Sequence, residues 1–460
     1  MGDNIPACRE PRIAIVGGGV VSMMLTLGLI KRNISVHVYE QASGFREVGA
    51  GIAFTACARH CMDLLNPAIT AALKRCGAVP ISDEEEKNNY LRWIDGYNQH
   101  RQDDPTFQRP LSQIGGGGFR GCRRDQFLEE LAKDVPPGTI QFRKRMETLE
   151  RKDNGTVALT FTDGTRAEAD AGCDGIKSNV RKAILGADNE ASYAQYTHKV
   201  AYRGLVPMKA AIEILGLWKA NNFHHHVGPG AHITHYPVSN HQALNVVIFL
   251  TDSGPWTGDS SMVSEGTRDE VETALKDWHP TVRSLVELMP RKLSKWGLFD
   301  LGEYPVPKYY DGPVCLAGDS AHATSPHHGA GACLGAEDAL CLATLLEQVN
   351  EVTSKPTTQL RDIIQVAFDT FDRMRRRRTQ WLVNSSRRVC DLYHQPEWAH
   401  PKQWAKAETC FEEIRDRSYK IWHFKPEDMV DETLVKFAQR MRGEPDYIGQ
   451  GLTEKDGYIL

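Results

Sequence analysis

A chain of 460 residues is long enough to bury two or three domain cores. Its charged fraction of 25% and formal net charge of -4 give no electrostatic reason to expect a nucleic acid or an anionic membrane as partner. No run of 18 apolar residues predicts a membrane span, and the start carries no secretory leader pattern. Eleven cysteines without a Cys-x-x-Cys pair favour reduced thiols and a cytoplasmic protein.

The first chemical motif lies near the start of the chain. A short apolar strand ends at three glycines, an apolar helix follows, and a second strand ends in Glu40. Together these elements form the βαβ dinucleotide-binding fingerprint. Gly17 and Gly19 would let a pyrophosphate approach the helix N-terminus, and Glu40 would accept hydrogen bonds from a ribose. Ser22 occupies the third glycine position, and Asn33 is expected to end the helix in the left-handed conformation.

A second motif combines an acid with very little side-chain bulk. An apolar run ends in Gly318-Asp319, and the stretch "SAHATSPHHGAGACLGAEDALC" follows, with three glycines before and within a helical pattern. Small residues allow a large flat group to lie against the backbone. The motif therefore predicts a binding surface for such a group at the end of a strand.

Further stretches follow the fingerprint in order, namely "GFREVGAGI" (44–52), "CRRDQFLEEL" (122–131) and "GCDGIKSNVR" (172–181), and the Gly318-Asp319 motif comes after them. In this order and spacing the chain resembles the single-component FAD-dependent aromatic hydroxylases, the class of para-hydroxybenzoate and salicylate hydroxylases. The stretches "SSRRVCDLYHQPEWAHP" and "CFEEIRDRSYKIWHF" are similar to those of the fungal polyketide-pathway monooxygenases that dearomatise orcinaldehyde-type phenols, such as the tropolone-pathway hydroxylases.

The resemblance implies an α/β fold with a Rossmann-type FAD-binding domain, an antiparallel-sheet substrate domain and a helical C-terminal region. Strand-like alternation in 190–300 and helical patterns after 346 agree with it. The strand expected before Asp174 is short, and the charge run Arg373–Arg378 is interpreted as a solvated face. The implied boundaries are 1–80, 110–190 and 300–345 for the FAD-binding domain, 190–300 with 80–110 for the substrate domain, and 346–460 for the helical region.

The same resemblance implies the cofactor contacts. Asp319 would bind the ribityl hydroxyls of FAD, Pro326 would line the flavin face, and backbone N–H groups at Gly329 and Gly331 would meet the isoalloxazine edge. No second dinucleotide fingerprint occurs, so NADPH (or NADH) would be a transient electron donor. The further cofactor-binding residues implied are Arg46, Gly51 and Arg123. For the two arginines among them, an ordinary surface salt bridge is the alternative.

The implied reaction inserts one atom of O2 into a phenolic small molecule and consumes NADPH. The substrate is expected to be held as a phenolate by cationic or hydrogen-bond-donating groups in a dry pocket. Arg203 in "AYRGL" and Tyr236 in "HITHYPV" match the tropolone-pathway positions and are the candidate catalytic residues. An arginine keeps its charge, but an ion pair within the sheet is the alternative for Arg203. Phe119 occupies the position at which another branch of this family carries a tyrosine that holds the substrate.

The histidine-rich stretches do not predict a metal site. Consecutive residues of a strand point to opposite faces, so His224–His226 do not converge on one ion. The same alternation places His235 on the face opposite to Tyr236.

Three other functions stay open at this point. An ordinary or decarboxylating salicylate-type phenol hydroxylase would share the whole motif set, a flavin-free NAD(P) dehydrogenase would share the fingerprint, and a flavoprotein without catalysis is the third. The ring substituents, the stereochemistry and the oligomeric state are not determined by the sequence.

Overall fold

The computed structural model describes residues 12–45, 51–82, 89–152, 156–169, 171–173, 178–258, 262–353, 360–400 and 402–444. The strands are β1 Arg12–Val16, β2 Ser35–Tyr39, β3 Gly51–Phe54, β4 Val79–Pro80, β5 Leu91–Asp95, β6 Pro110–Ile114, β7 Arg120–Arg123, β8 Ile140–Gln141, β9 Met146–Arg151, β10 Val157–Phe161, β11 Arg166–Ala169, β12 Ala171–Cys173, β13 Gln195–Pro207, β14 His224–Gly228, β15 Ala231–Val238, β16 Ala243–Thr251, β17 Val263–Thr267, β18 Lys292–Asp300, β19 Tyr310–Asp311 and β20 Val314–Cys315.

The α-helices are α1 Val20–Lys31, α2 Ala56–Leu65, α3 Pro67–Arg75, α4 Arg124–Ala132, α5 Asn179–Leu185, α6 Met208–Ala220, α7 Arg268–Ala274, α8 Pro280–Glu287, α9 Asp319–His322, α10 Gly331–Thr353, α11 Leu360–Tyr393, α12 Trp404–Glu408, α13 Cys410–Trp422 and α14 Pro426–Met441. Short 3-10 helices cover Glu190–Ser192, Pro326–His328 and Pro396–Ala399. No helix of these described ranges is long and apolar enough to cross a membrane.

A six-stranded sheet in the order β19-β20-β12-β1-β2-β8 carries the nucleotide fingerprint. Strand β1 pairs in parallel with β2 and with β12, and the predicted short strand before Asp174 is β12, with three residues. Asp174 itself lies outside the described residues. Gly17 leaves β1 with φ of 97°, and Asn33 ends α1 with φ of 57°, which confirms the expected left-handed position. The Rossmann-type half of the predicted fold is confirmed.

An eight-stranded sheet in the order β17-β18-β13-β16-β15-β14-β5-β6 forms the other half. Its pairs are antiparallel except for β14 with β5. The registers place Arg203 opposite Val247, Val247 opposite Thr234, Thr234 opposite His225, and His225 opposite Trp93. We call these five residues the cavity row, since paired positions share one face of a sheet. The antiparallel-sheet half is confirmed, whereas the domain boundaries stay a prediction.

The helical C-terminal region is also confirmed, but its charge run is not simply solvated. Arg375 on α11 has no exposed surface, and its guanidinium pairs with Asp338 and Glu337 of α10, each at 2.7 Å. The interpretation of the whole run as a solvated face is therefore wrong for Arg375. A buried charge needs such partners, because an unpaired one costs several kcal/mol.

Asp338 connects this ion pair to the motif around Asp319. Its Oδ2 accepts hydrogen bonds from the backbone N–H of Gly318 at 2.9 Å and from Nε2 of His322 at 2.5 Å. Burial raises the pKa of Asp338, but His322 and Arg375 lower it by a larger amount, so that the pKa is about 2. The carboxylate thereby fixes the turn from β20 into α9, and with it the position of Asp319.

We expect Asp338→Asn to destabilise the fold by about 3–5 kcal/mol, because Arg375 and His322 would lose a buried counter-charge. Asp311→Asn is the matched control: Asp311 forms an exposed ion pair with Arg151, and its loss should cost under about 1 kcal/mol. Thermal and urea unfolding measure both.

The pH dependence of that difference follows from the sign of the pKa shift. In the folded protein the pKa of the Asp338 carboxyl is lowered from its unfolded-state value of about 3.9. The stabilisation of the fold by this carboxylate is therefore complete above that pH. It declines as the pH falls towards about 2. A stability difference between the parent and Asp338→Asn that stays constant down to that pH contradicts the assignment.

Candidate active site

The nucleotide end of the site is built on the fingerprint turn. Glu40 accepts hydrogen bonds from the backbone N–H of Gly18 at 2.5 Å and of Ala42 at 2.7 Å, which hold its carboxylate beside the glycines. Gly17 donates its N–H to the carbonyl of Tyr39 at 2.7 Å. A Cβ on Gly19, the residue before α1, would meet no atom within 4 Å. Open space above a helix N-terminus with a fixed carboxylate fits a dinucleotide.

Two neighbouring arginines at the start of α4 have different surroundings. Arg123 ends β7 and pairs with Asp125, with Nη2 at 2.6 Å from Oδ2. Arg124 lines the cavity described below, and the pKa of its guanidinium is lowered by burial while Asp319 and Glu40 raise it. Arg124 therefore interacts electrostatically with Asp319 and Glu40. The sequence analysis did not select Arg124 as a site residue.

A signal for Arg124 was present in the sequence. Phe127, Leu128 and Leu131 are buried and lie three, four and seven positions after Arg124, on the same side of a helix. Arg123 precedes the helix, in extended backbone, and its spacing to the same three residues is four, five and eight. The predicted cofactor residue Arg46 is outside the described residues.

The loop before α10 ends in three small residues, Gly329, Ala330 and Gly331. We call residues 324–331 the glycine loop. Gly329 takes φ of 61°, which favours glycine, and a Cβ there would meet no atom within 4 Å. Gly331 is the first residue of α10, so unpaired backbone N–H groups of a 23-residue helix begin there. A planar, electron-accepting ring system fits this surface.

A cavity of about 320 Å³ connects the glycine loop with the face of the eight-stranded sheet that carries the cavity row. The predicted residues Arg203, Tyr236, Asp319 and Pro326 all line it. So do Gly51, Gly329 and Gly331, whereas Gly17, Gly19, Glu40 and Arg123 are not part of its wall. The wall is otherwise mainly apolar and aromatic, with Ile52, Leu91, Trp93, Phe119, Phe223, Val247, Phe249 and Trp422.

Arg203 brings a positive charge to this wall. Its Nε is buried and has no hydrogen-bond partner, and its Cζ lies 4.6 Å from the ring centroid of Trp296. Within the described ranges no carboxylate pairs with it, so the alternative of an ion pair inside the sheet finds no support there. Burial lowers the pKa of Arg203, Tyr236 opposes this shift, and Arg124 adds to it. An arginine nevertheless keeps its charge at neutral pH.

Tyr236 supplies a hydroxyl to the same cavity. The side chain is 8% exposed, and its pKa is raised by burial while the charge of Arg203 acts in the opposite direction. The hydroxyl therefore keeps its proton at neutral pH and can donate it in a hydrogen bond. A Cβ at Gly51 would lie 2.7 Å from this hydroxyl, and one at Gly121 would lie 3.1 Å from the ring. The two glycines make room for Tyr236.

The histidines of this region lie on the two faces of the sheet and on the glycine loop. His225, His232 and His327 line the cavity, whereas His235 contacts the rings of His224 and His226 on the opposite face. The predicted alternation along the strand, which separates His235 from Tyr236, is confirmed. Over the described ranges, no group of three or more His, Cys, Asp or Glu residues could hold a metal ion.

Comparison with known proteins places this geometry in a family. Residues 122–360 match the model of an FAD binding domain. The chain is 65% identical over 445 residues to salicylate hydroxylase asL1 of Sarocladium schorii, which covers 95% of this chain and 93% of that protein. It is 62% identical over 435 residues to the FAD-dependent monooxygenase eupB of a Phoma species, covering 92% and 98%.

A solved structure agrees with these relatives. A salicylate hydroxylase in complex with its substrate superposes with a TM-score of 0.75 at 26% identity, over 92% of this chain and 98% of that one. The flavin-free dehydrogenase alternative is thereby excluded. The chain belongs to the FAD-dependent aromatic monooxygenases of the salicylate hydroxylase class.

Proposed function

We propose that this enzyme hydroxylates and oxidatively dearomatises a phenolic polyketide of the resorcylaldehyde or orcinaldehyde type in fungal secondary metabolism. The observation that carries the proposal is the guanidinium of Arg203, whose Nε is buried and unpartnered, together with the neutral hydroxyl of Tyr236 in the same largely apolar cavity. A cation and a hydrogen-bond donor in such a wall form a receptor for an aromatic anion. A phenolate is the electron-rich form that this chemistry needs.

FAD, when bound, takes electrons from NADPH or NADH and activates O2 for insertion at an aromatic carbon. The residues of the chain bind the substrate and exclude water. Arg203 holds the substrate oxygen as an anion, and Tyr236 donates a hydrogen bond to it. The apolar wall keeps water away, which strengthens both interactions.

The cofactor contacts remain proposals built on the same geometry. Asp319 is exposed to the cavity at the start of α9 and would bind ribityl hydroxyls. The N-terminus of α10 at Gly331 would face the ring edge, and Arg124 would neutralise part of the acidic surroundings of Asp319 and Glu40.

Decarboxylating hydroxylation is the second candidate. The 65% identical relative is named a salicylate hydroxylase, and a guanidinium binds a carboxylate at least as well as a phenolate. The two functions differ in product: salicylate-type chemistry releases CO2, whereas hydroxylation of an alkyl-bearing carbon leaves a dienone.

The product decides between them. With an alkylated 2,4-dihydroxybenzaldehyde, NADPH and isotopically labelled O2, we expect one labelled oxygen atom on a ring carbon and a quinol-type dienone where that carbon carries the alkyl group. Mass spectrometry and ultraviolet absorbance detect both. Turnover of salicylate with CO2 release, and none of the aldehyde, would replace the first candidate by the second.

Replacement of Asp319 by alanine should abolish FAD retention, because a small-residue loop offers no other side chain for the ribityl hydroxyls. Flavin absorbance per protein after purification measures it, and Asp311→Ala, which removes the carboxylate of an exposed ion pair on β19, is the matched control. A variant as yellow as the parent shows that Asp319 does not hold the cofactor.

Arg203→Ala should retain FAD and lose hydroxylation, because the fingerprint and the glycine loop lie on other elements. Loss of one charge-assisted hydrogen bond in a dry site costs about 2–4 kcal/mol, or ~30- to 1000-fold in rate. Arg203→Lys keeps a charge and should recover part of the activity. The measurement is product per NADPH consumed, and parental coupling in Arg203→Ala means that this arginine is only structural.

Tyr236→Phe should keep the fold and the cofactor, since the ring still fills the space left by Gly51 and Gly121. It loses one neutral hydrogen bond, worth about 0.5–1.5 kcal/mol, so turnover should fall by roughly 2- to 10-fold. Steady-state kinetics and chiral analysis of the product measure it. An unchanged rate and an unchanged enantiomer ratio would remove Tyr236 from the site.

A further inference from the structure

A line of hydrogen bonds connects the cavity with the surface of the eight-stranded sheet. Nδ1 of His232, which lines the cavity, lies 2.8 Å from Nε2 of His394. Nδ1 of His394 lies 3.2 Å from Oγ1 of Thr251, and Thr251 is exposed. Outside, Nζ of Lys199 donates to the same Oγ1 at 3.2 Å. Two buried imidazoles and a hydroxyl thus lead from the substrate space to solvent.

Backbone contacts fix the three members relative to one another. The N–H of Gly230, in the turn between β14 and β15, donates to the carbonyl of His394 at 3.1 Å. The N–H of Thr251 donates to the carbonyl of Gly230 at 3.0 Å. The end of α11, the turn before His232 and the end of β16 are therefore held together.

The inner end of this line lies next to the place where Arg203 would hold the substrate. Along β15, Thr234 shares the cavity row with Arg203, and His232 and Tyr236 lie two positions before and after it on the same face. Two residues of a strand span about 7 Å. A phenolic oxygen held at the row by Arg203 is thus flanked by Tyr236 on one side and His232 on the other.

The donors and acceptors along the line match in one direction. Burial is the first cause that lowers the pKa of both histidines, that of His394 to about 3, so both rings are neutral with one N–H each. If Nδ1–H of His232 donates to His394 and Nδ1–H of His394 donates to Thr251, then Nε2 of His232 is an acceptor. That Nε2 is buried and has no partner in the structure.

We propose that His232, His394 and Thr251 form a proton path that carries the phenolic proton of the bound substrate to solvent. The inference rests on the proposed function, because it needs a phenol as substrate. The O–H bond of the phenol breaks, and Nε2 of His232 takes the proton. The Nδ1 proton of His232 passes to Nε2 of His394, the Nδ1 proton of His394 passes to Oγ1 of Thr251, and the hydroxyl proton of Thr251 passes to water.

This series of transfers moves one proton in total and leaves a phenolate beside Arg203. Afterwards each ring holds its proton on Nε2, and a proton that returns along the line to the cavity restores the Nδ1 protons.

Other titratable groups near the line are His225, His327 and Tyr393, whose rings lie 5.8, 5.4 and 4.9 Å from that of His232, and Lys199 at the outer end. Burial also lowers the pKa of His225 and His327 and raises that of Tyr393, so all three are neutral. The positive charge of Lys199 opposes a protonated His394, which favours release of the proton to water.

The test uses the FAD-loaded enzyme without NAD(P)H, so that no turnover occurs. It is mixed rapidly with an alkylated 2,4-dihydroxybenzaldehyde below the pKa of its phenol, in weak buffer with an indicator dye. For the parent we expect phenolate absorbance and release of one proton per substrate bound. In Thr251→Val the rate of both signals should fall 10-fold or more, with the final amplitude and the affinity unchanged.

The controls separate a path from a structural role. Thr148→Val changes another exposed strand threonine, on β9, and should keep the parental rate. His394→Ala should be as slow as Thr251→Val and should regain rate with added imidazole. Because Thr251 is exposed and valine is its isostere, Thr251→Val decides the question even where His394→Ala does not fold.

The outcomes distinguish the inference from the proposed function. A parent that ionises the phenol while Thr251→Val and His394→Ala ionise it equally fast overturns the path and leaves the proposed function intact. A parent that binds the aldehyde without ionising it overturns both. Slow ionisation in Thr251→Val that recovers above the pKa of the free phenol, where no proton needs to leave, supports the path.

Discussion

The structure places a guanidinium against the cavity without a carboxylate to neutralise it in the described part of the chain. Charges are buried in proteins at a cost of several kcal/mol unless they are paired, so such an arrangement persists where a ligand completes it. The residues around Arg203 therefore have to accommodate a charge that has no carboxylate partner. The wall around the charge is mainly apolar, and the glycines at positions 51 and 121 make room for Tyr236 in the same cavity.

A fully buried arginine shows the opposite arrangement. Arg375 is neutralised by Asp338 and Glu337, and the same Asp338 fixes the turn that precedes Asp319. Arg375 thus stabilises the packing of α10 and α11 next to that turn, whereas Arg203 lines the cavity without a carboxylate partner among the described residues.

The sequence was sufficient for the elements and motifs whose signals are local. The βαβ fingerprint, the left-handed Asn33 and the alternation of His235 and Tyr236 follow from spacing alone, and the structure agrees with each. Resemblance added Arg203 and Asp319, which share one cavity in the structure although they are far apart in the chain. Such convergence is a property of strand register, which local pattern does not determine.

The contacts that the sequence reasoning missed are those made over long separations. His232 and His394 are 162 positions apart, and nothing in their neighbourhoods marks them as a hydrogen-bonded pair. The burial of Arg375 was hidden in a run of charges that resembles a solvated face. Arg124 is a different case: the apolar spacing of α4 was readable and would have selected it over Arg123.

We infer that Arg203 stabilises the substrate as an anion, and the pKa of a bound phenol is the quantity that reports this stabilisation. A chromophoric phenol that fits the cavity is titrated by absorbance on FAD-loaded enzyme without NAD(P)H, in the parent and in Arg203→Gln. In the parent we expect the pKa of the bound phenol to be lower than that of the free phenol by about one unit or more, equivalent to about 1.4 kcal/mol per unit. In the variant this lowering should be lost. Equal pKa values for the bound phenol in parent and variant would mean that Arg203 does not stabilise the anion.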